Sequence, residues 1–255
     1  MNRAGAAMAP WLLVAALLAV WQLASALLQV PEYLLPAPWA ITTALAADAP
    51  SLAGAAARTL QMAFEALAAA FAFAAVLALG VSLSATLDRA IRPLATALQV
   101  TPVVAIAPLF VIWAGVDHPA TAIIALAAIV AFFPIFSGMV RGLASADPDL
   151  DRLFDLYSAT RVQRLTRLRL PSAVPFIIEG TKVASGLAII GAVVAEWVAG
   201  SGGAQGLAWR ILEAGNHLQT ARMFAAILAL ALMAGLVHVA FQSLERRALV
   251  WWRGR

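Results

Sequence analysis

Long apolar stretches, cut by short clusters of charge and proline, set the pattern of this chain. From Pro10 to Pro31 the only polar side chains are the neutral Gln22, Ser25 and Gln29. A second stretch opens near Thr59 and is free of charge from Ala66 to Leu87. The third lies between Arg92 and Asp117 and the fourth between His118 and Arg141. The fifth runs from about Val183 to Ala199 with the single acid Glu196, and the sixth lies between Arg222 and Glu245. A helix needs about 20 largely apolar residues to cross a bilayer, against about 9–11 for a spanning strand, and these stretches have helix length. The pattern predicts an all-α polytopic membrane protein of six transmembrane helices, over about 10–30, 60–87, 93–116, 119–140, 176–199 and 222–244, in one domain of 1–255. Helices close every backbone hydrogen bond internally, as hydrocarbon demands. The first stretch has a second reading, a secretory signal, because Arg3 precedes it and Ala24-Ser25-Ala26 resembles an A-x-A cleavage site. Its continuation to Val30 favours a retained span.

Composition agrees with this class. Of 255 residues, 63% are hydrophobic and 12% charged, against roughly 45–50% and 25% in soluble domains. That excludes an ordinary cytosolic enzyme, a disordered chain and a nucleic-acid-binding module. With no cysteine, disulfides and thiolate metal sites are excluded as well. The formal net charge of +4 is a matter of placement rather than of a polyanionic partner. With the N-terminus inside, the cytoplasmic segments hold Arg3; Arg89 and Arg92; Arg141, Arg152, Arg161, Arg164, Arg167 and Arg169; and Arg246, Arg247, Arg253 and Arg255. The other side holds Arg58, Arg210 and Arg222, and Lys182 sits near a helix entrance. This asymmetry follows the positive-inside rule and, with six spans, places both termini in the cytoplasm.

Two outer segments are long. Pro31, Pro36, Pro38 and Pro50 make the first irregular, with a short helix expected over Ala40–Ala47. The second begins Gly200-Ser201-Gly202-Gly203, which reads as a gate hinge or as a plain loop, and continues with a helical pattern over Leu207–Leu212. The cytoplasmic loop over 145–172 carries more information. Asp147 reads as an N-cap with Pro148 at the first helical position, and Asp149 and Asp151 follow where the helix dipole favours acids. Leu150, Leu153, Phe154 and Tyr157 form one apolar stripe. Ser158-Ala159-Thr160 is a small-residue break, and a second helix is expected from Val162 to Leu168, with Arg161, Arg164 and Arg167 as its basic face and Leu170-Pro171 ending it. Each arginine at a bilayer centre costs roughly 2.5–3.5 kcal/mol, so this segment lies on the surface. It is either a polybasic patch on anionic lipid or an apolar knob with a basic rim that enters a partner's groove.

Read from Leu170-Pro171 backward, the loop resembles the cytoplasmic signature of ABC importer permeases, E-A-A-x3-G-x9-I-x-L-P. Leu168 stands at the isoleucine and Ser158 at the glycine, while Arg152-Leu153-Phe154 departs from E-A-A. Ser158-Ala159-Thr160-Arg161 is similar to the family's turn. Further matches are Leu35-Pro36-Ala37-Pro38, Ala107-Pro108-Leu109-Phe110 with Trp113, Phe132-Phe133-Pro134-Ile135, Gly191 to Glu196, and Leu244-Glu245-Arg246-Arg247. Together they resemble the nitrate/sulfonate/taurine-type permeases, in the wider group that takes thiamine-pyrimidine precursors and riboflavin. The resemblance implies a type I ABC importer permease core in the bacterial inner membrane, usually a homodimer. It implies two cytoplasmic ATPase subunits, which hold ATP and Mg, and a periplasmic solute-binding protein. The loop becomes the coupling helix, with Phe154, Tyr157, Ser158, Ala159, Thr160, Arg161, Arg164, Leu170 and Pro171 as its contact residues.

Candidates for the solute path are sparse. Pro102 and Pro108 can kink the third span and expose carbonyls, and Gln99, Thr101 and Ser185 can face a path or pack between helices. Phe133 belongs with Phe132 and Phe136, which pack or stack on a ligand. Glu196 is either a gating residue or an interfacial acid capped by water. Glu65 reads as an interface residue, and Glu179 and Lys182 as a local ion pair. His118, His217 and His238 lie apart, without metal-ligand spacing, and Gly180-Thr181-Lys182 is not a phosphate-binding loop. No cofactor is expected in this chain, and no nucleophile–base–acid set marks an enzyme. The rival reading is a self-contained secondary carrier or channel, which lacks support from an inverted repeat.

Overall fold

A computed structural model describes residues 3–115, 118–199 and 205–253. In chain order the helices are α1 (Arg3–Leu27), α2 (Pro38–Ala47), α3 (Ala49–Leu83), α4 (Ala85–Val100), α5 (Val103–Ala114), α6 (Pro119–Ala144), α7 (Pro148–Leu156), α8 (Arg161–Arg164), α9 (Leu170–Ala199), α10 (Leu207–Asn216) and α11 (Thr220–Arg253). A π-helical turn over Leu165–Arg169 joins α8 to α9. The Gly200–Gly203 hinge candidate, Asp117 and Arg255 lie outside the described residues. Among the described residues, five helices are long and apolar enough to cross a membrane: Met8–Leu27, Ala49–Leu83, Pro119–Ala144, Arg161–Ala199 and Thr220–Val250.

The expected second and third spans are divided, for local reasons. Ser84 caps α4, its hydroxyl accepting the Leu87 N–H at 3.3 Å, with Asp88 in the first turn paired to Arg92. The expected helix over 60–87 therefore ends at Leu83. Within 93–116, Pro102 offers no N–H and pushes Thr101 into the extended region (ψ 127°), so α4 stops and α5 begins anew. Gly115, at φ 82°, ends α5 after 12 residues, about 18 Å of helix against a hydrocarbon core of about 30 Å.

The chain forms two compact units. The first joins the N-terminal part, up to Ala57, to Gln205–Leu232. Here Gln22, a polar interruption in α1, accepts the Trp39 N–H at 3.1 Å, one of the free donors that opens α2. Trp21 meets Phe224 edge-on at 6.1 Å, and the Thr220 hydroxyl donates to the Tyr33 carbonyl at 2.8 Å. Asp48 pairs with Arg222 (3.0 Å) and Arg210 with Glu213 (2.8 Å), in a polar cleft that His217 also lines.

The second unit runs from Arg58 and takes in the C-terminal part of α11. Its centre is the antiparallel pair α6 and α9. A Cβ on Gly138 would stand 2.7 Å from the Phe176 carbonyl oxygen, one on Gly180 2.6 Å from that of Pro134, one on Gly142 2.9 Å from Ala173, and one on Gly191 2.8 Å from Ala127. The backbones thus touch at four levels, and only glycine fits at each. Gly138 and Gly142 form a G-x-x-x-G step, the spacing that lets membrane helices approach closely. Phe132 stacks on Phe136 (5.3 Å) and meets Phe73 (5.4 Å), and both Phe132 and Phe136 are buried, which supports packing over ligand stacking.

Candidate functional site

The loop over 145–172 is built as its cap chemistry requires. The Asp147 carboxylate accepts the Asp149 N–H at 2.8 Å and opens α7, with Pro148 at the first position. The chain turns at Tyr157–Ser158. Ser158 has φ 50°, the left-handed region that costs a residue with a Cβ roughly 1–2 kcal/mol. Serine carries a Cβ and bears that cost, where glycine would not. Thr160 then starts α8 through a complete capping box, its hydroxyl accepting the Gln163 N–H (3.2 Å) while the Gln163 side chain accepts the Thr160 N–H (2.9 Å).

Arg164 locks the two helices together. Its guanidinium hydrogen-bonds Asp155 and lies 3.3 Å from Asp151, both on α7. The expected basic face therefore loses Arg164 to an internal clamp, and Arg161 and Arg167 stay exposed. The apolar stripe is exposed at Leu150, Leu153 and Tyr157 (80%), while Phe154 turns half inward. Two members escaped the sequence reading: Leu156 at 83% exposed and Val162 at 69%. Each is worth about 1.5–3 kcal/mol if fully covered. Beside this knob, Arg161, Arg164 and Arg169 line a cleft with Ser82 and Leu83, and Arg169 donates to the Ser82 carbonyl at 3.4 Å.

The expected end of the second loop helix at Leu170-Pro171 is not found. Helix continues from Arg161 to Ala199. The π turn makes this possible: the Leu170 N–H reaches back five residues to the Leu165 carbonyl, widening the turn that the Pro171 ring would otherwise strain. Leu168 is buried, Leu170 half-buried and Pro171 exposed. Leu165 to Pro171 is therefore the stem of one long rod rather than the end of a surface helix.

The path candidates are not brought together at one point. Gln99 is exposed on α4, and the Thr101 hydroxyl returns to the Ala97 carbonyl at 2.8 Å, with Pro102 exposed beside it at the break. Phe133 is half-buried on α6. Ser185 is buried on α9 and donates to the Lys182 carbonyl at 2.7 Å, a packing arrangement. Glu196 lies on the same helix, about 16 Å further on at 1.5 Å per residue. It is 1% exposed, a buried acid. Glu65 is exposed and accepts from Gln61 at 2.8 Å. Lys182 does not pair with Glu179. Its ammonium meets Glu245 on α11 at 2.7 Å. Spacing along one helix could not foresee that partner.

Comparison with known proteins gives a consistent picture. The family described as "Binding-protein-dependent transport system inner membrane component" matches residues 70–250. A probable ABC transporter permease protein of Haemophilus influenzae is 32% identical over 221 residues, covering 87% of this chain and 88% of that one. The formylaminopyrimidine transport permease protein of Halalkalibacterium halodurans is 31% identical, covering 98% of both. A putative aliphatic sulfonates transport permease protein of Bacillus subtilis is 30% identical over 94% of this chain and 86% of its own. The fold is similar to that of a solved inward-facing MetNI methionine ABC transporter, with a TM-score of 0.65 at 16% identity, covering 77% of this chain and 95% of that one.

Proposed function

The chain belongs to the binding-protein-dependent ABC transporter permeases, and from that membership we propose that its loop over 145–172 is the coupling element that receives a cytoplasmic ATPase. The supporting observation is the knob itself. Leu156, Tyr157 and Val162 are among its most exposed apolar side chains, and they sit on two short helices that Arg164 and a capping box hold rigid. A rigid apolar knob loses little conformational entropy when a groove covers it. The knob also stands at the foot of a helix that continues to Ala199, so a push on the loop is delivered into the membrane-spanning part.

The full reading is the transmembrane subunit of an importer that takes a small organic or anionic solute from a periplasmic binding protein. A sulfonate, nitrate, a pyrimidine or another vitamin precursor suits the relatives. ATP and Mg bind in the partner ATPase, two permease copies enclose the path, and both termini lie in the cytoplasm of a bacterial inner membrane. ATP binding closes the ATPase pair, the docked loops swing the permease halves from inward- to outward-facing, and hydrolysis resets them. The excess of arginine on the loop side supports this orientation. Gln99, Thr101, Pro102, Phe133, Ser185 and Glu196 remain the path or gate residues of this reading, with Glu196, as a buried acid, the first to test.

Affinity purification in mild detergent tests the docking. We expect the wild-type chain to retain its ATPase and Arg161→Glu and Ser158→Trp to lose it at least tenfold. A folded wild-type chain that retains no ATPase overturns the reading, and uptake driven by an ion gradient alone would then install the self-contained carrier.

A further inference from the structure

Two prolines one helical turn apart, Pro171 at the end of the stem and Pro175 just beyond it, both lie inside helix. In an α-helix the carbonyl of residue 171 accepts the N–H of residue 175. Pro175 has none, so the chain's own sequence strips the Pro171 carbonyl of its helical donor. A donor arrives from the far end of the chain. The Trp252 indole N–H, in the last turns of α11, donates to the Pro171 carbonyl at 2.9 Å. Three turns further along α9, Lys182 meets Glu245 of α11 at 2.7 Å. The C-terminal part of α11 thus lies antiparallel to the stem and holds it at two points. The first contact supplies something that α9 lacks within itself, a hydrogen-bond donor at Pro171; the second gives Lys182 a partner on α11 in place of Glu179 on its own helix.

We propose that Trp252 is a positioning residue: by capping the carbonyl that Pro175 leaves open, it holds the stem Leu165–Pro171 in the one orientation that presents the knob. This rests on the docking reading for its functional meaning, though not for its geometry. A tryptophan near a membrane surface has an ordinary role as an interfacial anchor, and that role asks nothing of Pro175. The two roles therefore separate in a double-mutant cycle. Trp252→Phe keeps the aromatic ring and removes the N–H. Pro175→Ala restores the internal donor and makes the indole N–H redundant.

The experiment is hydrogen exchange of the amides of 164–172 in the intact chain in lipid nanodiscs, for wild type, Trp252→Phe, Pro175→Ala and the double variant. One lost hydrogen bond predicts exchange about three- to tenfold faster in Trp252→Phe. The double variant should exchange like Pro175→Ala alone. Unchanged exchange in Trp252→Phe, or an equal acceleration in both backgrounds, overturns the proposal. ATPase retention by the same four proteins is read in parallel. It should fall in Trp252→Phe and return in the double variant, and where wild type retains its ATPase, equal retention in all four also overturns the positioning role. If wild type retains no ATPase while the exchange cycle behaves as stated, the capped carbonyl stands and the docking reading alone fails.

Discussion

Single residues decide the shape of the loop, and the sequence shows some of them plainly. Asp147 and Pro148 were legible because capping is local chemistry: a carboxylate at the cap position has one nearby donor to meet, and it meets it. Ser158 was legible as a small residue, but its φ of 50° is a backbone fact. From that angle Ser158→Gly relieves about 1 kcal/mol of strain, and Ser158→Val adds about as much. Purified variants should show a higher melting temperature for the first, a lower one for the second, and ATPase retention that follows the same order. Lys182 shows where reading by spacing fails. Glu179 is three residues away on the same helix, yet α11 brings Glu245 to it instead, and nothing within α9 signals a partner 63 residues on.

At the scale of elements, hydropathy found the long helices and blurred their joints. Averaged over 93–116 the chain is apolar enough to span, but the average hides Thr101-Pro102, where backbone sterics end one helix and start another. Leu170-Pro171 reads as a stop but is none, because the π turn is a backbone detail without a mark in the residue pattern and the Trp252 hydrogen bond is a tertiary fact. The α6–α9 contact was open to view in Gly138 and Gly142, and the partner glycines at 180 and 191 stand three turns apart on one face of α9, a spacing too long to read as a short motif. Gly180→Ala should cost roughly 1–3 kcal/mol through forced separation of the backbones, seen as a lower melting temperature in detergent. Gly186→Ala on the same helix, with open space at its Cβ, should not lower the melting temperature. Equal behaviour of the two would show that the α6–α9 backbones are not in contact.

For the whole molecule, the asymmetry of arginine makes a prediction about sidedness that the lack of cysteine renders easy to test. In intact cells, Tyr157→Cys should resist a membrane-impermeant maleimide until the membrane is opened, while His217→Cys should label at once. The reverse pattern would invert the topology and, with it, the side on which the loop can meet an ATPase. Composition carried the fold class this far because an apolar excess has few solutions, whereas the exposed Leu156 and Val162 needed coordinates to be seen. The continuous helix from Arg161 to Ala199 has a mechanical consequence. Welded to α6 by four backbone contacts, it has little freedom to bend along its middle, so it behaves as a lever. At about 1.5 Å per residue its 39 residues span about 58 Å, and a tilt of only about 5° moves one end by about 5 Å relative to the other. A small angular input at the foot, carried through the π turn and the prolines that Trp252 braces, is then enough to produce a displacement of side-chain size at the level of Glu196.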